Sequence, residues 1–287
     1  MTNPETGMLS DEHRERWAAA TYWVRGCELA LKEAVDPRPD SWLAHADRLY
    51  RWEKVSAWSR SYLTAAIDHL LLWADLVAPY KFAEDHINHV RFRPYVMLGR
   101  AGLESSAHGV WLLADVDDPR DCVRRHLRLM HRDFEYQRKA QEAGGYGTNA
   151  VLARMEVTVE RAERLGVGVS PKDKPPGYAN LVRAAATTVG GDAQRWAFLW
   201  NAASGAAHGQ NWFGMVGYDT EIGEEYEPGH YRSIQTPDPV FITEIVEAAV
   251  TVLGWGVIRW LLLAGFDGNS LVTDAMTEVH RHMPKKE

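Results

Sequence analysis

Ala248-Ala249-Val250-Thr251-Val252-Leu253-Gly254-Trp255-Gly256-Val257-Ile258-Arg259-Trp260-Leu261-Leu262-Leu263-Ala264-Gly265-Phe266 decides the fold: 19 residues, nearly all of them apolar. The run is about as long as a membrane span. Yet Arg259 stands inside it, Glu244 and Glu247 lie just upstream, and Gly254 and Gly256 sit among Trp255 and Trp260. A helix that is apolar on every side must be covered on every side. An internal arginine and small residues that admit close neighbours fit a cover of other helices better than a cover of lipid. The reading is a central buried helix with no membrane insertion, and the rest of the chain has to surround it.

Working outward, 3.6-residue periodicity runs through almost the whole chain and strand alternation is almost absent. Ser10 and Asp11 open a helix that reaches about Ala34 and stops at Asp36-Pro37-Arg38-Pro39. Ser41 caps a second segment that runs to Ala78, with an interruption near Glu53. Pro94 occupies a favourable first-turn position for a helix to Ala114. Asp118-Pro119 starts a long helix ending at Gly144-Gly145, and another spans Thr148 to Leu165. Helices follow at Tyr178 to Val189 and, capped by Asp192, at Ala193 to His208. Residues 209–239 read as a Gly/Pro/acidic loop, too long to be a mere connection and so functional. Val240 to Gly265 and Ser270 to His282 complete the set. The expected fold is one all-α domain over 1–287. It is a bundle of about eight to ten helices with a central pocket near Arg100, Arg124 and His208, and the proline-rich linker 166–177 offers a division into two parts as the alternative.

Composition narrows the function without naming it. The chain has 287 residues, 46% of them hydrophobic and 25% charged, which excludes a disordered tail, a collagen-like repeat and a disulfide-rich module. A net charge of -7 argues against a general nucleic-acid coat while leaving room for a local basic patch. Two cysteines, Cys27 and Cys122, both in helical patterns, read as buried thiols. The polar, acidic N-terminus lacks a basic-then-apolar leader, so a cytoplasmic location is expected.

Several constellations could carry chemistry. The twelve tryptophans lie mostly in helices, either as core filling or as π walls around a cation. Trp196 and Trp200 share one helix face. Asp117, Asp118 and Asp121 follow the apolar Trp111-Leu112-Leu113 in the spacing D-D-x-x-D. Three close carboxylates suit Mg²⁺, and Asp118 before Pro119 equally suits a helix cap. Asn201, Ser204 and His208 fall on one face at i, i+3, i+7 amid small residues, as a ligand-facing stripe or an inter-helix hydrogen-bond network. Arg100, Glu104 and His108 repeat every four residues. So do Arg120, Arg124 and Arg128, with Arg125, Arg132 and His131 close by, as a solvated face or a phosphate grip. Asp85/His89 and Glu104/His108 are two acid-x-x-x-His pairs without the Glu-x-x-His spacing of a di-iron bundle.

Asp117-Asp118-x-x-Asp121 at the end of an apolar helix resembles the Asp-rich motif of class I terpene synthases, which are all-α and line their pocket with aromatics. Asn201-x-x-Ser204-x-x-x-His208 is similar to that family's second metal motif, with the asparagine one position late and His208 in place of glutamate. The resemblance implies a lyase acting on a prenyl diphosphate. Asp117, Asp118 and Asp121 would hold Mg²⁺, Asn201 and Ser204 would complete a second site, and Arg154 or Arg195 would sense the diphosphate. Arg100, Glu104, Arg124 and Arg128 would bind substrate, with Trp196, Trp200 and His208 at the reacting centre. Tyr231-Arg232 is a reversed echo of the family's terminal Arg-Tyr pair. A second, broader resemblance runs from Arg93-Pro94 through Arg100-Ala101-Gly102-Leu103-Glu104 to the Arg120–Arg128 cluster and Ser204-Gly205-Ala206-Ala207-His208-Gly209. It is to helical actinobacterial proteins compared with HEPN-type ribonucleases. That resemblance implies an RNA substrate, although the nearest arginine before His208 is Arg195, outside the family's Arg-x(4–6)-His spacing. A non-catalytic helical binding protein is the third reading. The expected partners are a small molecule and, in a homodimer, a second copy of the chain.

Overall fold

Several helices begin where a short polar side chain takes up a free N–H. Ser10 caps α1 (Asp11–Glu33), Ser41 caps α2 (Trp42–Leu49), Asp118 caps α5 (Pro119–Ala143), Asp192 caps α8 (Ala193–Ala207) and Asp238 caps α9 (Pro239–Leu263). The remaining helices are α3 (Val55–Val77), α4 (Phe92–Leu113), α6 (Asn149–Arg164), α7 (Tyr178–Thr188) and α10 (Gly268–His282). These come from a computed structural model, which describes residues 9–80, 90–168, 170 and 173–282. The pair Asp85/His89 lies outside the described residues. The interruption expected near Glu53 separates α2 from α3. There the Asp47 carboxylate accepts from the backbone N–H and the hydroxyl of Ser56, at 3.0 and 2.6 Å, and fixes the start of α3.

The apolar run that decides the fold lies in α9, which packs against α1, α3, α4, α8 and α10. The most apolar window of α9 is 67% buried by these neighbours. Its arginine is satisfied at its edge, where Arg259 Nε donates to the Leu113 carbonyl at 3.2 Å. Trp260, fully buried, donates its indole N–H to the Ser56 carbonyl at 3.1 Å. Close approach depends on missing side chains. A Cβ on Gly102 of α4 would lie 2.7 Å from Leu70 of α3, and one on Gly256 of α9 the same distance from Leu63. Residues from all ten helices contribute to one continuous core.

Residues 209–239 correct the loop reading. They form a short 3₁₀ turn, Asn211–Met215, and an antiparallel hairpin of β1 (Tyr218–Glu227) and β2 (His230–Pro237). Gly/Pro/acidic composition suggested a loop, but Tyr, Thr and Ile recur along both arms. The turn between the arms holds Pro228 and Gly229, the latter at φ +78°, which suits glycine. Only the base of the hairpin is anchored: the Tyr218 ring meets Phe92 and Phe213 with centroids 4.7 and 6.0 Å away. The two cysteines are free and buried, and burial pushes both thiols up to about 12.

Candidate functional site

A pocket opens at the side of the bundle rather than on its axis, which α9 fills. Its floor is one face of α5, where Arg128, Arg132 and Tyr136 follow one another every four residues. Met155 of α6, Lys174, Pro175 and Tyr178 form the walls of a cleft of about 690 Å³. Past Arg132, Tyr136 and Tyr178 it continues into a recess of about 210 Å³ against Tyr62, Glu104 and His108.

The segment 173–177 is held to α5 by arginines, not by carboxylates. Arg128 Nε donates to the Asp173 carbonyl at 2.6 Å, and its Nη2 donates to the Lys174 carbonyl. Arg132 Nη1 donates to the Pro176 carbonyl at 2.8 Å, and its Nη2 lies 2.7 Å from His108 Nε2. His108 Nδ1 is 2.7 Å from the Glu104 carbonyl oxygen. A carbonyl only accepts, so the proton sits on Nδ1 and the Nε2 lone pair receives the Arg132 N–H. Burial, reinforced by the Arg132 charge against the opposing Glu104 hydrogen bond, lowers His108 to about 4. The ring is therefore neutral at pH 7. All four acceptors of the two arginines are uncharged, and the carboxylate that feels Arg132 most directly is Asp133, in the recess. The nearby Glu135 is committed to Arg138 at 2.8 Å and Lys139 at 3.7 Å.

Tyrosines supply the flat surfaces. The Tyr136 and Tyr178 rings are nearly parallel, 11° apart in plane, with centroids 6.4 Å apart. Arg132 lies over Tyr178 at 5.0 Å, and Tyr62 stacks on His108 at 5.0 Å. Burial raises Tyr178, and hydrogen bonding to Tyr136 adds to this. Burial pushes Tyr62 up to about 12. Both hydroxyls stay protonated near neutrality and can donate. Asp133, on the rim of the recess, is also raised by burial against the pull of Arg154 and Arg132.

Of the residues singled out in the sequence, Arg128 lines the cleft and Glu104 lines the recess. Glu104 accepts the Trp200 indole N–H at 2.9 Å and pairs with Arg100 at 3.1 Å, while Arg100 lies over the Trp200 ring at 4.9 Å. The Arg100/Glu104/His108 stripe thus divides, its first two members turned to α8 and its third to Arg132. Other expected residues are engaged elsewhere. Asp118 accepts the Arg120 N–H at 2.8 Å as the α5 cap, Asp121 pairs with Arg124 at 2.5 Å, and Asp117 is exposed. Among the described residues no group of three His, Cys, Asp or Glu that could hold a metal ion is found. Arg195 pairs with Glu244, and Arg154 lies over Phe134 at 4.4 Å. Trp196 is half-buried beside Gly191. Asn201 returns its amide to the Ala197 carbonyl at 2.8 Å, Ser204 is half-buried, and His208 is exposed at the end of α8, away from the cleft. Arg132, named in the sequence only as a neighbour of the arginine stripe, lines the cleft together with Tyr136 and Tyr178, which the sequence did not single out. Extending the i+4 arginine series from Arg128 by one and two steps reaches the first two. Tyr178 carries no local signal, because it joins the cleft through the fold of the preceding loop.

No protein-family model, curated protein or solved structure matches the chain.

Proposed function

We propose that the chain is a binding protein for a small phosphorylated ligand that carries a planar ring. The observation that supports this is the pair Arg128 and Arg132, whose hydrogen bonds go to neutral oxygens and a neutral imidazole. Their charges stay available beside the Tyr136 and Tyr178 faces. Guanidinium forks match phosphate oxygens in shape, and the carbonyls that hold them fix their orientation before any ligand arrives. Lys174 adds a third cation on the rim, and Pro175, Met155 and the tyrosine rings give the rest of the ligand an apolar bed. His108 serves the site by holding Arg132, since a buried neutral ring with both nitrogens engaged is a poor proton carrier.

Calorimetric titration with a nucleoside diphosphate, inorganic diphosphate and a prenyl diphosphate, each without metal, tests the reading. Saturable binding of the nucleoside diphosphate is expected, weakened about tenfold or more in Arg132→Leu, as loss of a charged hydrogen bond implies. Absence of saturable binding by all three would sink it. Turnover of the prenyl diphosphate with Mg²⁺, lost in Asp117→Asn, would favour the isoprenoid-diphosphate lyase expected from the Asp-rich segment. Cleavage of a short RNA would favour the ribonuclease reading.

A further inference from the structure

The hairpin of β1 and β2 is unlike the rest of the molecule. Beyond Tyr218 every residue of β1 is exposed, and so is every residue of β2. Ile222 and Ile234 are 74% and 64% exposed, and Tyr226 and Tyr231 are more than half exposed. A two-stranded ribbon wetted on both faces is marginal in water and gains most from a third strand.

Its two edges differ. β1 carries Asp219, Glu221, Glu224, Glu225 and Glu227, whereas β2 has no carboxylate at all. The register also slips twice, between Ile222 and Glu225 and between Glu225 and Glu227. Over those steps β2 moves only from Ser233 to Tyr231 and from Tyr231 to His230. Both extra residues therefore bulge from β1. Bulges and charges are the devices that blunt a sheet edge against pairing, and β1 has both. β2 is regular, has no proline before Pro237, and offers Tyr231, Ile234 and Thr236, residues suited to strands.

We infer that the β2 edge is a homodimer interface, in which two copies of β2 pair antiparallel about a two-fold axis. The result is a four-stranded sheet with the bulged, acidic β1 strands outermost. Charge selects this occupant. Any arrangement that joins two β1 edges sets carboxylates against carboxylates, while β2 against β2 opposes none. A register centred on Ser233 places Arg232 across from the partner's Ile234 and Tyr231 across from the partner's Gln235, with no like charges opposed. An antiparallel pair of identical strands satisfies two-fold symmetry and leaves no open end for further growth.

Eight residues of strand pairing are a small interface, so the dimer should dissociate at about micromolar concentration. Sedimentation velocity of the full chain across that range is the test, with circular dichroism on every variant. The expected result is a monomer–dimer equilibrium. Ser233→Pro, which removes a backbone donor at the centre, and Ser233→Asp, which sets two new carboxylates against each other across the axis, should each leave monomer with unchanged helix content. Glu221→Lys on β1 should leave the dimer in place. A wild-type chain that is monomeric throughout, or a dimer that survives both β2 variants, would overturn the assignment. Capture of a foreign basic strand by a monomer counts against it equally.

Discussion

Two histidines sit in the core, His108 at 6% exposure and His126 at zero, and burial lowers both from 6.5 to about 4. Unfolded, each takes up a proton near pH 6.5; folded, each resists it until about pH 4. The unfolded state therefore binds more protons throughout that window, and stability, full above pH 6.5, falls as the pH drops through it. Between pH 6.5 and 5 the loss should be roughly 2 kcal/mol per histidine. Urea denaturation at the two pH values measures it. His126→Gln, which cannot titrate and can still donate to the Glu53 carbonyl, should make the dependence shallower. Asp118 gives a second residue-scale expectation. Asp118→Ala removes the α5 cap and should cost about 1 kcal/mol, whereas Asp118→Asn should cost little. A loss of several kcal/mol in the asparagine variant would mean that the carboxylate does more than cap. The sequence already offered capping as one reading of Asp118, because Pro119 follows it. It could not show that Asp121 turns to Arg124, one turn along on the same helix.

Among the elements, α4 and α9 are separated from their neighbours by little more than missing side chains. Adding a methyl at Gly102 drives it into the branch point of Leu70, which has no room to swing aside inside a close-packed core. Gly102→Ala should therefore destabilise by about 1–3 kcal/mol, read from chemical denaturation. At Gly256 the methyl meets the far end of Leu63 at 2.7 Å and Val110 Cγ2 at 3.3 Å, with no branch point in the way, so Gly256→Ala should cost less. Equal losses at the two positions would show that close helix approach is not what the glycines serve. Most helix boundaries were legible, because caps and prolines act within one turn. The hairpin was not, because its strands bury no face and their alternation of apolar and polar residues has no core to align with.

Across the whole molecule, Arg128 and Arg132 hold the carbonyls of the segment 173–177, which walls the cleft. In the double variant Arg128→Ala/Arg132→Ala, amide exchange in peptides covering 173–178 should speed up markedly while α9 stays protected. Unchanged exchange would mean that the segment is held by other contacts. The sequence alone determined the helical class, the order of the helices and the burial of α9. Periodicity, caps and an apolar run broken by Arg259 are local, and local physics fixes them. The site belongs to the tertiary structure. Tyr62, His108, Arg132 and Tyr178 come from four helices, α3, α4, α5 and α7, and nothing in the neighbourhood of any one of them along the chain records the other three. Capping and ion pairing, both local, take up Asp118 and Asp121. Arg132 is left to the cleft because its nearest acceptors are a carbonyl and a neutral ring, brought there by packing.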